Sequence, residues 1–201
     1  MHSLGGMIAL EVACQWPERV KSLSLLVTTS GIFSMLRNPQ QASILQRLLD
    51  CSDNSNEAVA TRLLHLLYPE AYLDAPYESD ISRTNRQVLH EYHLERVSQA
   101  QPPSRPGLIG QFCAVLTHHV SHDRLREIQA KHFPILVVSA EEDRLIHPSN
   151  SHRLYESLAG EYTRHANYKD AGHGVMLQNR TDILHQLQCT FNAAQQPTTK
   201  L

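Results

Sequence analysis

Met1-His2-Ser3-Leu4-Gly5-Gly6-Met7-Ile8-Ala9-Leu10 opens the chain, and the reading of this stretch decides the fold. A serine stands one residue before two glycines, and an apolar run follows: Met7, Ile8, Ala9, Leu10, Val12 and Ala13. An apolar helix with almost no polar face is expected to be buried all round. Trp16-Pro17 closes it, because the residue before proline is pushed out of the helical region. Ser3 then sits at a helix N-terminus, where unpaired N–H groups and the helix dipole favour negative charge.

Outward from this segment, Val20 to Val27 reads as a short, mostly buried strand followed by the loop Thr28-Thr29-Ser30-Gly31. From about residue 34 to 123 the texture is helical, with patches at 39–49, 56–67, 82–97 and 106–120 and no convincing strand. Asn56 and Ser82 are N-cap candidates there. Ser121 and Asp123 can cap a short helix ending near Lys131. The run Phe133-Pro-Ile-Leu-Val-Val-Ser139 is a strong buried-strand signal, since β-branched and aromatic residues dominate it. A helix from Pro148, a weaker strand at 162–168 and an amphipathic helix at 181–191 complete the order. Strands alternating with helices imply a parallel sheet covered on both faces.

The 201 residues suffice for one domain, or for one domain with a large insertion. Hydrophobic residues make up 41% and charged residues 19%, which favours a packed core over disorder. A formal net charge of −2 gives no electrostatic reason to expect nucleic acid as a partner. Cys14, Cys51, Cys113 and Cys189 are scattered without a C-x-x-C pair, so reduced, buried thiols are expected rather than a disulfide framework or zinc site. No apolar run reaches the roughly 18–20 residues that span a bilayer. With no signal peptide visible, a cytoplasmic protein is the default expectation. His118 and His122 are spaced to share a helix face, but no cysteine or Glu-based metal motif accompanies them, and a solvated helix end is the better reading.

His2-Ser3-Leu4-Gly5-Gly6 resembles the G-x-S-x-G nucleophile elbow of the α/β-hydrolases, with Gly5 matching the second glycine and Met1 in the place of the first. Two later loops extend the resemblance. Ser139-Ala-Glu-Glu-Asp143-Arg-Leu-Ile-His-Pro148 follows a strand as that family's acid loop does, with Glu141 and Glu142 as rivals to Asp143. Ala171-Gly-His-Gly174 is similar to the histidine loop, and the chain order Ser, Asp, His is the order this family uses.

The resemblance implies the following. Ser3 attacks a carbonyl carbon, His173 takes and returns its proton, Asp143 orients the imidazole, and the backbone N–H of Leu4 is one oxyanion donor. The substrate is a small carboxylic ester or related acyl compound, with no metal and no organic cofactor. The fold implied is the C-terminal portion of an α/β-hydrolase parallel sheet, about three strands flanked by helices, with an inserted helical cap. The division expected is 1–33 for elbow, buried helix and strand; 34–123 for the cap; 124–194 for the C-terminal core; and 195–201 for a frayed tail. Because the chain opens inside the motif, a truncated hydrolase is expected, with a frayed N-terminus and impaired turnover. The alternative is a non-catalytic remnant or incomplete gene model of such an enzyme.

Overall fold

The computed structural model describes residues 1–31, 53–101 and 104–195. The helix expected at 39–49, Cys51 and residues 196–201 lie outside them. In chain order the elements are α1 (Leu4–Gln15), β1 (Leu23–Leu26), α2 (Asn56–Leu67), α3 (Glu70–Asp74), β2 (Pro76–Tyr77), β3 (Asp80–Thr84), α4 (Asn85–Gln99), α5 (Arg105–Thr117), α6 (His122–Gln129), β4 (Ile135–Ala140), α7 (Pro148–Leu158), β5 (Thr163–Tyr168), α8 (Val175–Gln178) and α9 (Arg180–Ala193).

The main sheet has three parallel strands in the order β1-β4-β5. β4 is central, and every one of its residues is buried. Its side chains alternate between two cores, as strand geometry requires. Ile135 and Val137 face Leu23, Leu25, Leu10, Leu125, Ile128, Leu154 and Leu158, which brings α1, α6 and α7 to one face. Leu136, Val138 and Ala140 face Ala166, Ala171, Val175 and Ile183, beneath α8 and α9. The strand order advances in one direction, so right-handed crossovers put α6 and α7 on the same side. Burying each Leu or Val of β4 contributes about 1.5–3 kcal/mol, which makes this strand the main anchor of the sheet.

Several sequence expectations need correction. α1 is not buried all round: Gly6, Met7, Leu10 and Ala13 are buried, whereas Ile8 and Trp16 are about half exposed (54% and 48%). Only one face of the helix meets the sheet, and composition alone cannot say how many faces are covered. The N-terminus is not frayed. His2 bridges Leu26 in parallel, the Leu26 N–H donates to the Met1 carbonyl at 2.9 Å, and the Ser3 N–H donates to the Leu26 carbonyl at 3.0 Å. The segment between β1 and α6 does contain strands: β2 and β3 form a short antiparallel hairpin. It is polar and exposed, with Ile81 83% open, so it carried no hydrophobic alternation to read.

Caps also move. Ser55, not Asn56, caps α2 by accepting from the Ala58 N–H at 3.3 Å. Thr84, not Ser82, caps α4 through a reciprocal box with Gln87. Ser121 caps α6. Cys113 is exposed, and Cys14 and Cys189 are partly so; these thiols are free but not the buried set expected. His118 is no solvated helix end, since its side chain is 6% exposed, and it ends α5 while His122 opens the next helix. Among the described residues no helix is long and apolar enough to cross a membrane.

Candidate active site

The C-terminal ends of the parallel strands carry all three sequence-predicted side chains, as is usual for open α/β sheets. Ser3 follows the Met1–His2 backbone that lies beside β1, and it caps α1. Its backbone is at φ 51°, ψ −125°, a conformation that L residues rarely adopt and that costs on the order of 1–3 kcal/mol. Three contacts hold the strained turn. The Ser3 N–H donates to Leu26, its carbonyl accepts from the Gly6 N–H at 2.8 Å, and the Thr28 hydroxyl donates to the same carbonyl at 2.7 Å. Val27, a β-branched residue, also has positive φ (41°), and it bends the chain leaving β1 so that Thr28 reaches the serine turn.

Gly6, rather than the motif glycine Gly5, is the sterically required one. A Cβ at Gly6 would stand 2.6 Å from the Thr28 side chain, whereas one at Gly5 meets only Met1 at 3.7 Å. The Gly5, Gly6 and Met7 N–H groups are taken by the carbonyls of His2 and Ser3. The Leu4 N–H has no backbone acceptor among the described residues, and it lies at the positive end of α1.

Asp143 follows β4 and is 5% exposed. Its Oδ1 accepts from the Leu145 and Ile146 N–H groups, both at 2.8 Å, and its Oδ2 accepts from His173 Nδ1 at 2.8 Å. A carboxylate can only accept, so Nδ1 carries the proton and Nε2 is left as the basic nitrogen. The rivals are settled by position: Glu141 turns to His152 Nε2 at 2.7 Å, and Glu142 is exposed. His173 follows β5 and is 2% exposed. The structure thus brings Asp143 and His173 together. It does not bond Ser3 to either one; among the described residues neither Ser3 Oγ nor His173 Nε2 makes a hydrogen bond. A loose nucleophile–base contact is common before substrate binds.

Sequence reading missed the residues that seat the two loops. The Gly174 N–H donates to the Leu67 carbonyl at 2.7 Å, and a Cβ at Gly174 would fall 2.2 Å from the Tyr68 ring. A Cβ at Gly172 would meet the Leu67 carbonyl oxygen at 2.5 Å. Both glycines of Gly-His-Gly are therefore demanded by the end of α2 lying against the histidine loop. Tyr68 is in turn held by His93, whose Nε2 lies 3.0 Å from its hydroxyl, and burial pushes the Tyr68 phenol well up and the His93 imidazole down. On the acid loop, Arg144 donates to the His65 carbonyl at 3.4 Å and approaches Glu70 at 3.7 Å. A cavity of about 340 Å³ opens beside the histidine loop, lined by Tyr72, Tyr168, Asp170 and Gln178 among others, but neither Ser3 nor His173 borders it.

Residues 1–180 match the model of the hydrolase family described as serine aminopeptidase, S33. The chain belongs to this family of α/β-hydrolases. No curated protein sequence matches it. Among solved structures, it is similar to a candidate non-heme bromoperoxidase, BpoC, of Mycobacterium tuberculosis H37Rv (20% identity, TM-score 0.72, covering 97% of this chain and 66% of that one). It is also similar to the enol-lactonase of Burkholderia xenovorans LB400 (15%, TM-score 0.64, 95% and 64%) and to a thermophilic esterase of Thermogutta terrifontis (16%, TM-score 0.65, 97% and 64%). At these identities the likeness shows the α/β-hydrolase fold alone. The chain spans about two-thirds of the length of these structures.

Proposed function

We propose that the site is a serine hydrolase centre acting on a small carboxylic ester or related acyl compound through an acyl-enzyme. Ser3 Oγ attacks the carbonyl carbon while His173 Nε2 takes its proton; the proton then passes to the leaving alcohol, and water repeats the sequence to release the acid. Asp143 keeps the imidazole in the tautomer that exposes Nε2. The Leu4 N–H, at the start of α1, donates to the oxyanion. The reading needs no metal or organic cofactor. Its main support is the buried Asp143–His173 hydrogen bond, with the other carboxylate oxygen saturated by two backbone donors.

Residues 34–123 are the cap in this reading, and 1–33 with 124–194 form the core that it covers. The contacts of Leu67 and Tyr68 with Gly174, and of Arg144 with His65, support a cap seated on the catalytic loops. A second reading, a chain that keeps the fold but lacks turnover, draws on the missing hydrogen bond between Ser3 Oγ and His173 Nε2 among the described residues.

A fluorophosphonate probe and p-nitrophenyl acetate test both readings on the purified chain. Labelling of Ser3, abolished in Ser3→Ala and His173→Gln, together with serine-dependent turnover, is expected. Labelling without turnover would favour the second reading. Neither labelling nor turnover in a folded sample would overturn the assignment of Ser3.

A further inference from the structure

His2 makes the only hydrogen bond, among the described residues, between the serine turn (residues 1–7) and the histidine loop (171–174). Its Nε2 lies 3.0 Å from the His173 carbonyl oxygen. A carbonyl only accepts, so His2 must be the tautomer with its proton on Nε2. The two imidazole rings also meet, with centroids 4.7 Å apart at an interplanar angle of 61°. The backbone of His2 is fixed, too, bridged in parallel to Leu26 one residue before the strained Ser3. We propose that His2 is a positioning residue: it ties the nucleophile's turn to the base's loop, and so sets the distance between Ser3 Oγ and His173 Nε2.

Other contacts leave that distance undetermined. The Asp143 hydrogen bond fixes how the His173 ring rotates, and the Gly174 N–H on Leu67 anchors the loop from the α2 side. Neither contact refers to Ser3. The loop is further held by the Glu142 N–H on the Ala171 carbonyl at 2.9 Å, by the Gly172 N–H on Gln178 at 2.8 Å and by packing of Ala171 and Val175. Among the described residues none of these hydrogen bonds reaches the serine turn, and a misplacement of about 1 Å relative to the serine can cost on the order of 10²-fold in rate. His2 is attached covalently to Ser3 and by hydrogen bond to His173, so it spans the one gap left open. Burial and the neighbouring His173 push its pKa down, which keeps it neutral, and thus an undivided donor to one carbonyl, at neutral pH.

The inference rests on the hydrolase reading but is tested separately from it. His2→Phe keeps a ring against His173 and removes the donor; His2→Gln keeps an N–H at similar reach and removes the ring. The first readout is the downfield proton NMR signal of the His173 Nδ1–H on Asp143, which requires no turnover. The second is kcat against KM for an activated ester. In His2→Phe the downfield signal is expected to broaden into solvent exchange. Its kcat should fall roughly 10–100-fold, with KM little changed. His2→Gln should restore both, and matched thermal unfolding of the two variants controls for folding. A His2→Phe chain with the native signal, or a His2→Gln chain as impaired as His2→Phe, would overturn the proposal. If no variant or native chain turns over, the NMR comparison alone decides it, while the hydrolase reading fails on its own test. Should His2→Phe not fold, His2→Leu is compared with His2→Gln by the same signal.

Discussion

Single atoms decide much of this site. Gly174→Ala drives a Cβ into the buried Tyr68 ring, whose hydroxyl is pinned by His93, so the ring cannot swing away. Overpacking of this kind costs about 1–3 kcal/mol, and the clash bears directly on the loop that carries His173. Gly110→Ala is the contrasting case: nothing lies within 4 Å of its Cβ position inside α5, so a gain of about 0.5–1 kcal/mol is expected there. Chemical denaturation of the two variants checks both signs; a stable Gly174→Ala would mean that Tyr68 does not seat the loop. Asp143→Asn is the chemical counterpart. An amide oxygen can still accept from Leu145 and Ile146, but its NH₂ then faces His173 Nδ1 and forces the proton onto Nε2. A fall in kcat of about 10⁴ is expected with the fold retained. Activity within tenfold of native would remove Asp143 from the mechanism.

At the scale of elements, each boundary follows from a local signal, and some of those signals were legible in advance. Thr84-x-x-Gln87 is a capping box written in the sequence, whereas the expected cap was Ser82, the first residue of the helical patch 82–97. Ser82 instead belongs to β3, where its hydroxyl donates to Asp80 at 2.6 Å. Thr84→Ala should destabilise the α4 region by about 1 kcal/mol. Hydrogen exchange along residues 85–89 is the measurement, and unchanged protection there would show that the box is idle. β4 was legible from Ile135-Leu-Val-Val138 because continuous β-branched residues suit a strand buried on both faces. The β2–β3 hairpin was not, because exposed strands need no apolar alternation.

Four imidazoles sit where water is scarce. His2, His93, His118 and His165 all have pKa values pushed below the usual histidine value of 6.5, with burial the largest cause in each case. Arg96 adds to the shift at His93 and His152 adds to it at His165, while Glu11 opposes it at His118. When the folded pKa is depressed, the unfolded chain binds protons first on acidification. The stability these groups permit is therefore complete above about pH 6.5 and is lost as pH falls toward their folded values. Urea midpoints measured from pH 7.5 to 5 should drop across this window, and His165→Gln or His93→Gln should flatten the curve. A pH-independent midpoint would contradict the burial of these rings. Glu70 acts later and in a separate window. Hydrogen bonds from Arg86 and His65 hold its carboxyl at about 2, so the contribution of that exposed pair is complete above the ordinary glutamate value of 4.5 and is lost progressively as pH falls from there to about 2.

Sequence alone determined the family, the three-stranded parallel sheet and the loops from which Asp143 and His173 meet, because each is carried by chemistry local to a short run. A serine before glycines and an apolar helix, a β-branched strand ending in an acid loop, and Gly-His-Gly after a strand can each be recognised without neighbours. Only the tertiary structure decided why those glycines are glycines, which face of α1 is covered, and that His2 touches His173. These depend on which distant backbone arrives within a few ångströms: Leu67 and Tyr68 at the histidine loop, Thr28 at Gly6, and the His173 carbonyl at the ring of His2. Such approaches are set by how the layers pack, and they leave no periodicity in the chain for a reader to find.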